Sequence, residues 1–221
     1  MGFIISLTQK LQENANEAYA VPMAKYMKDK FPFLGIKTDP RRTILKEVNA
    51  LHKDEVKNNY REIATYLFSL PQREYHYCAI DILQKEWPKH FTIEDITLIE
   101  KLLITSSWWD SVDPMAKYLL GGYLKQYPEA TDAVIKKFAQ SQDMWLNRSS
   151  IIFQLGYKKE TDLALLFSLC ENFSTSREFF IQKAIGWALR EAAKTSPKPI
   201  IEFVATANLK PLSTREALKN I

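Results

Sequence analysis

Apolar residues recur at helical spacing along almost the whole chain. Phe3, Ile4, Leu7 and Leu11 fall on one face of a first predicted helix over 3–14, the recurrence expected of an amphipathic helix. A second helix is predicted over 18–30, with Met23, Tyr26 and Met27 at the same spacing. Phe31-Pro32-Phe33-Leu34-Gly35 breaks the pattern. Thr38-Asp39-Pro40 then supplies a cap and a first-turn proline for a helix to about His52. Helices follow over 57–70 and 71–87, and another runs from the capping-box-like Thr92-Ile93-Glu94-Asp95 to Ile104. Beyond residue 113 the pattern predicts helices over 114–126, 128–140, 144–155 (ending at Gly156) and 163–172. Thr175-Ser176-Arg177-Glu178 reads as the capping box of a long helix to Lys194. Ser196-Pro197 opens the next helix, and Ser213-Thr214-Arg215-Glu216 reads as a further box. No alternating β-branched run meets an Asn-Gly or Asp-Gly turn, so the fold class is all-α.

A small residue followed by an aliphatic one returns at Thr43-Ile44, Ala79-Ile80, Ser111-Val112, Ser150-Ile151, Ala184-Ile185 and Ala217-Leu218. The intervals are 36, 32, 39, 34 and 33 residues, about one helical hairpin each. This predicts a superhelical array of about six antiparallel helix pairs, similar in period to HEAT units, forming one domain over 1–221. Two residues before each anchor stand Arg41, Tyr77, Trp109, Arg148, Gln182 and Arg215. A plain core position would be apolar every time, so this register is expected to face a groove.

Composition narrows the chemistry. The chain has 221 residues, a formal charge of +4, two cysteines and three histidines. Residues 1–50 carry 8 basic and 5 acidic side chains, residues 51–140 carry 11 and 13, and residues 141–221 carry 11 and 8. Both ends are thus +3 and the middle −2, an arrangement suited to a polyanion held by two arms. Cys78 and Cys170 lie in apolar helical patterns and read as core thiols of a reducing compartment. No histidine–cysteine spacing fits a zinc motif, and no apolar run reaches membrane-spanning length. A soluble, cytoplasmic monomer without metal or cofactor is the expectation.

One stretch stands out, Ser107-Trp108-Trp109-Asp110-Ser111-Val112-Asp113-Pro114. On a helix, Trp109 and Asp113 share a face. An indole beside a carboxylate suits something both apolar and cationic. One helix cannot bury both tryptophans on one side, so one is expected to pack and the other to be displayed. Pro114 leaves a second role open for Asp113, as N-cap of the following helix. Arg148, in Trp145-Leu146-Asn147-Arg148, has the forked donors that match phosphate. Trp187 follows Gly186, a helical glycine that either close packing or room for a ligand would explain. His76 and Cys78 flank Tyr77 and complete no catalytic triad.

Together with Phe33–Ile36, Arg41-Arg42, the long block over 178–191 and Pro211–Ala217, these stretches resemble the AlkD-type alkylpurine DNA glycosylases, in order and over essentially the whole chain. The resemblance implies HEAT-like repeats whose concave, basic face holds duplex DNA. It also implies excision of N3- and N7-alkylated purines without metal or cofactor and without obligatory flipping of the base. It assigns Asp113, Trp109 and Trp187 to catalysis and Arg148 to a phosphate; Tyr26, Arg41, Arg190 and Arg215 are the other candidate DNA contacts. Pro114 is a departure from the motif and bears on how Asp113 is placed. The competing reading is a non-catalytic helical-repeat scaffold that binds or senses damaged DNA, with Asp113 a helix cap.

Overall fold

The computed structural model describes residues 2–219, apart from the side chain of Lys89, and among them there is no strand. The helices group into two compact units, residues 1–90 and 91–221.

The first unit contains α1 (Gly2–Glu13), α2 (Glu17–Tyr26), α3 (Thr38–Leu51), α4 (Lys53–Ser69) and α5 (Arg73–Glu86). The apolar stripe of α1 is buried as its spacing predicts, with Phe3, Leu7 and Leu11 fully enclosed against α3 and α4. Each such side chain contributes about 1.5–3 kcal/mol by leaving water. By contrast, α2 buries none of its residues. It ends four residues short of the predicted Lys30, because Lys28 and Asp29 turn to φ 60° and 54°, a region that stops an α-helix. The break after it is a built turn. Gly35 has φ +84°, and a Cβ there would sit 2.0 Å from the Asn16 carbonyl oxygen. The fully buried Glu74 carboxylate accepts from the amides of Leu34, Gly35 and Ile36 at 2.9, 2.9 and 3.1 Å. A buried charge is tolerable when so many donors meet it. Cys78 is buried in this unit, and burial pushes its thiol up to about 11.

The second unit contains α6 (Asp95–Ile104), α7 (Trp109–Pro114), α8 (Gly121–Gln126), α9 (Thr131–Ala139), α10 (Met144–Ile152), α11 (Leu163–Asn172), α12 (Phe179–Ala193), α13 (Pro197–Thr206) and α14 (Pro211–Ala217). Its core gathers Ile151, Ile152, Leu166, Ile185, Leu189 and Ile200 around α12. Cys170 is buried among them, its thiol pushed up by desolvation. Gly186 is accounted for by packing, since a Cβ there would lie 2.4 Å from Glu216 Cβ and 2.8 Å from the Ser213 carbonyl oxygen.

Several predicted starts are corrected. Helix α4 begins at Lys53 rather than 57, and α12 begins at Phe179 with no side-chain cap bond from Glu178, so 175–178 is not a capping box. Ser213 does not cap a helix: α14 already begins at Pro211, and the buried Ser213 hydroxyl donates to the Gln182 carbonyl at 3.0 Å. No break precedes residue 114 either. Helix α7 starts at Trp109 and runs through Pro114 into a π-helix over Met115–Leu120 and on into α8. Pro114 has no amide hydrogen for the Asp110 carbonyl. Five residues apart, Gly121 N–H bonds to the Ala116 carbonyl, the wider π pattern.

The buried anchors follow the predicted repeat. Ile44, Ala79, Ile80, Ser111, Val112, Ser150, Ile151, Ala184, Ile185 and Ala217 are all buried. Thr43 and Leu218, at the first and last anchors, are exposed.

Candidate functional site

The site is built from α7, α10 and α12. Trp108 sits just before α7 in extended conformation, with φ −158°. Its ring packs edge-on to Trp145 and Phe180, centroids 5.5 and 5.1 Å away. Trp145 and Phe180 lie 5.0 Å from each other, closing an aromatic cluster. Trp108 is therefore the packing tryptophan. Trp109, the first residue of α7, is half-buried and one turn from Asp113. Asp113 lies inside the continuous helix, so it is not a cap, and the shared face expected of Trp109 and Asp113 is retained.

Asp113 is held by Arg148. Arg148 Nε donates to Oδ1 at 2.7 Å and Nη2 to Oδ2 at 2.8 Å, a forked pair. Nη1 donates to the Phe180 carbonyl at the start of α12. One guanidinium thus ties together the three helices. Helix α10 is aimed by Asp143, whose carboxylate caps its first turn by accepting from the amides of Trp145 and Leu146. Arg148 is only 4 % exposed, which corrects the reading of it as a free phosphate clamp. Burial pushes the Asp113 carboxyl above the usual aspartate range, and the two Arg148 hydrogen bonds pull it only part of the way back. The carboxylate side chain remains 12 % exposed, which leaves it an opening toward solvent.

Trp187 is half-buried on α12, packed against the core of the second unit. It lies seven residues from Phe180 and so on the same face, about 10 Å further along the axis. Arg190 is one turn beyond, but its guanidinium is tied to α14, donating to the Glu216 carbonyl at 2.7 Å and to its carboxylate at 3.0 Å. Arg215, on α14, is exposed.

In the first unit, Tyr26 is 69 % exposed at the end of α2. The DNA contact expected of Arg41 is corrected. Its side chain is buried, with Nη1 donating to Asp81 at 2.8 Å and toward Cys78 Sγ at 3.7 Å. The register two residues before each anchor therefore does not uniformly face a groove: Arg41 and Arg148 turn inward to a neighbouring carboxylate. Sequence reasoning missed these partners: Asp81 for Arg41, and Asp113 and the Phe180 carbonyl for Arg148. The signal for Asp81 was present, since it falls two residues after its anchor, as Asp113 does. Among the described residues, no group of three or more histidine, cysteine, aspartate or glutamate side chains could hold a metal ion.

No curated protein matches the chain. Among solved structures, a predicted DNA alkylation repair enzyme from Enterococcus faecalis is 30 % identical, with a TM-score of 0.85 over 94 % of this chain and 96 % of that one. The protein smu.31 from Streptococcus mutans UA159 is 13 % identical, with a TM-score of 0.58 over 82 % of this chain and 97 % of the other, a likeness of fold alone. The model of the family described as DNA alkylation repair enzyme matches residues 7–221. The chain belongs to the DNA alkylation repair enzyme family.

Proposed function

We propose that this chain is a DNA glycosylase that hydrolyses the N-glycosidic bond of N3- and N7-alkylated purines in duplex DNA. The observation that carries the reading is Asp113, a mostly buried carboxylate oriented by Arg148 and one helical turn from a half-buried tryptophan.

An N3- or N7-alkylpurine already bears a positive charge and leaves as a neutral base. No general acid is needed, and a single carboxylate suffices. As the bond to the sugar lengthens, positive charge grows on the deoxyribose. Asp113 faces that charge from a site of low effective dielectric, where an oriented anion is worth more than in water. Arg148 fixes the plane of the carboxylate, so little reorganisation is needed as the charge appears. Each carboxylate oxygen keeps a lone pair beyond its Arg148 bond, enough to orient a water toward the anomeric carbon. Trp109 and Trp187 present indole faces to the cationic base or sugar. Arg148 acts here as a positioning residue. Duplex DNA is the partner, and Tyr26 and Arg215 are exposed for its backbone.

The test is release of free base from duplexes carrying N7-methylguanine or N3-methyladenine, with a chelator present, for wild type and Asp113→Asn. Wild type is expected to release base. The variant should lose about 10²-fold or more in single-turnover rate while keeping most of its affinity for DNA. Equal rates would remove Asp113 from the chemistry. No release by wild type, with DNA binding intact, would leave a scaffold or damage sensor.

A further inference from the structure

The repeat register supplies Asp113 with a counterpart. Asp113 lies two residues after Ser111, and Asp81 lies two after Ala79. Trp109 and Tyr77 lie two before the same anchors. Helix α5 therefore carries an aromatic ring and an aspartate four residues apart, just as α7 does. Both aspartates are gripped by a buried arginine that stands two residues before an anchor on a neighbouring helix. For Asp113 this is Arg148, and for Asp81 it is Arg41, at 2.8 Å. Tyr77 lies alongside, its ring centroid 5.4 Å from the Arg41 guanidinium carbon.

The two modules differ at Arg42. Its side chain is 60 % exposed and lies over the same Asp81 carboxylate, with Nε 3.4 Å from Oδ2 and Nη2 3.3 Å from Oδ1. The carboxylate in α5 is thus over-compensated, two guanidinium groups to one anion, and the module is positive toward solvent. Arg41 alone already satisfies the buried side of Asp81. An exposed pair such as Arg42–Asp81 contributes about 0–1 kcal/mol to stability, so the fold does not explain Arg42.

We propose that Arg42 contacts a phosphodiester of duplex DNA, with Asp81 its positioning residue and Arg41 holding Asp81 from the buried side. Two of the five guanidinium N–H groups of Arg42 face Asp81, and three remain for phosphate oxygens in the planar, forked geometry that suits them. The carboxylate restrains a long side chain before DNA arrives, which lowers the ordering cost of the contact. The same repeat position would thus serve chemistry in α7, where one arginine balances and orients the aspartate, and grip in α5, where two arginines leave a net positive charge. This rests on the DNA-directed reading of the chain but not on base excision.

The test is the salt dependence of binding to a lesion-free duplex, by fluorescence anisotropy, for wild type, Arg42→Ala, Arg42→Lys and Asp81→Asn. Loss of one phosphate contact should reduce the slope of log K against log salt by about 0.9 in Arg42→Ala. Arg42→Lys should keep the wild-type slope with weaker binding, because the point charge stays and the fork is lost. Asp81→Asn should weaken binding with the slope kept. Inorganic phosphate or a mononucleotide at millimolar concentration should leave the Arg42-dependent difference in place; if either abolishes it at constant ionic strength, the site takes free phosphate and the DNA assignment fails. An unchanged slope in Arg42→Ala, with its melting temperature also unchanged, would overturn the proposal. Base release by wild type reads the excision proposal alone, so failure of the excision reading registers there and failure of this one in the slope.

Discussion

At the scale of single residues, the Asp113–Arg148 pair sets two opposite pH dependences. Burial raises the Asp113 carboxyl above its unfolded value despite the arginine, so the folded state holds this proton more tightly than the unfolded chain does. The stabilisation linked to that proton is fully present below the unfolded pKa and is lost as pH rises through the folded one. Under the proposed excision the chemistry runs the other way, because only the carboxylate can face a developing cation. Single-turnover base release is therefore expected to rise with pH through an inflection above the ordinary aspartate value of about 3.9, then to level off. Rates measured from pH 4 to 8 check this, with Asp113→Asn as the flat reference. The site residues were legible to different degrees. Trp109 and Asp113 announced themselves as an indole and a carboxylate one turn apart. Arg148 was conspicuous, but its direction was not, because an arginine on a helix reads the same whether its fork meets a phosphate or a carboxylate 35 residues back in the chain. Arg41 was misread for the same reason. A pairing between distant residues leaves no local periodic mark.

At the scale of elements, α12 is the piece on which the second unit is assembled. It packs against α10, α11, α13 and α14, and α14 comes close to its backbone at Gly186. Gly186→Ala should destabilise the protein by about 1–3 kcal/mol, the range for overpacking, although alanine is the better helix former. Urea unfolding reads this as a lower midpoint with the slope unchanged. A stabilised variant would mean that the backbone contact with Ser213 and Glu216 yields easily. Helix existence was readable almost throughout, because a buried face imposes its period on the sequence, as Phe3, Leu7 and Leu11 show. Ends were less readable. The start of α14 at Pro211 was missed because Ser213-Thr214-Arg215-Glu216 imitates a capping box, while tertiary packing uses the serine hydroxyl elsewhere. The end of α2 was missed because two non-glycine residues take left-handed backbone, which no propensity signals. Pro114 looked like the start of a helix and lies inside one.

At the scale of the whole molecule, family membership and the all-helical fold agree with the repeating small–aliphatic anchors, and the charge asymmetry suits a polyanionic partner. Among the described residues, no helix is long and apolar enough to cross a membrane. The π-helical stretch over Met115–Leu120 is a place where the chain can lose one residue. A π turn houses one residue more than an α turn, so a single deletion there leaves an unbroken helix. The flanking segments keep nearly the same facing, because the wider π turns and one fewer residue of α turn sweep about the same angle. Trp109 and Asp113 therefore keep their place, and Asp113 still meets Arg148. Both walls of the site would survive and keep facing each other. Loss of one residue from this stretch is thus expected to leave the Asp113–Arg148 pair and the fold intact, whereas one residue inserted in an ordinary α turn would rotate all that follows by roughly 100°.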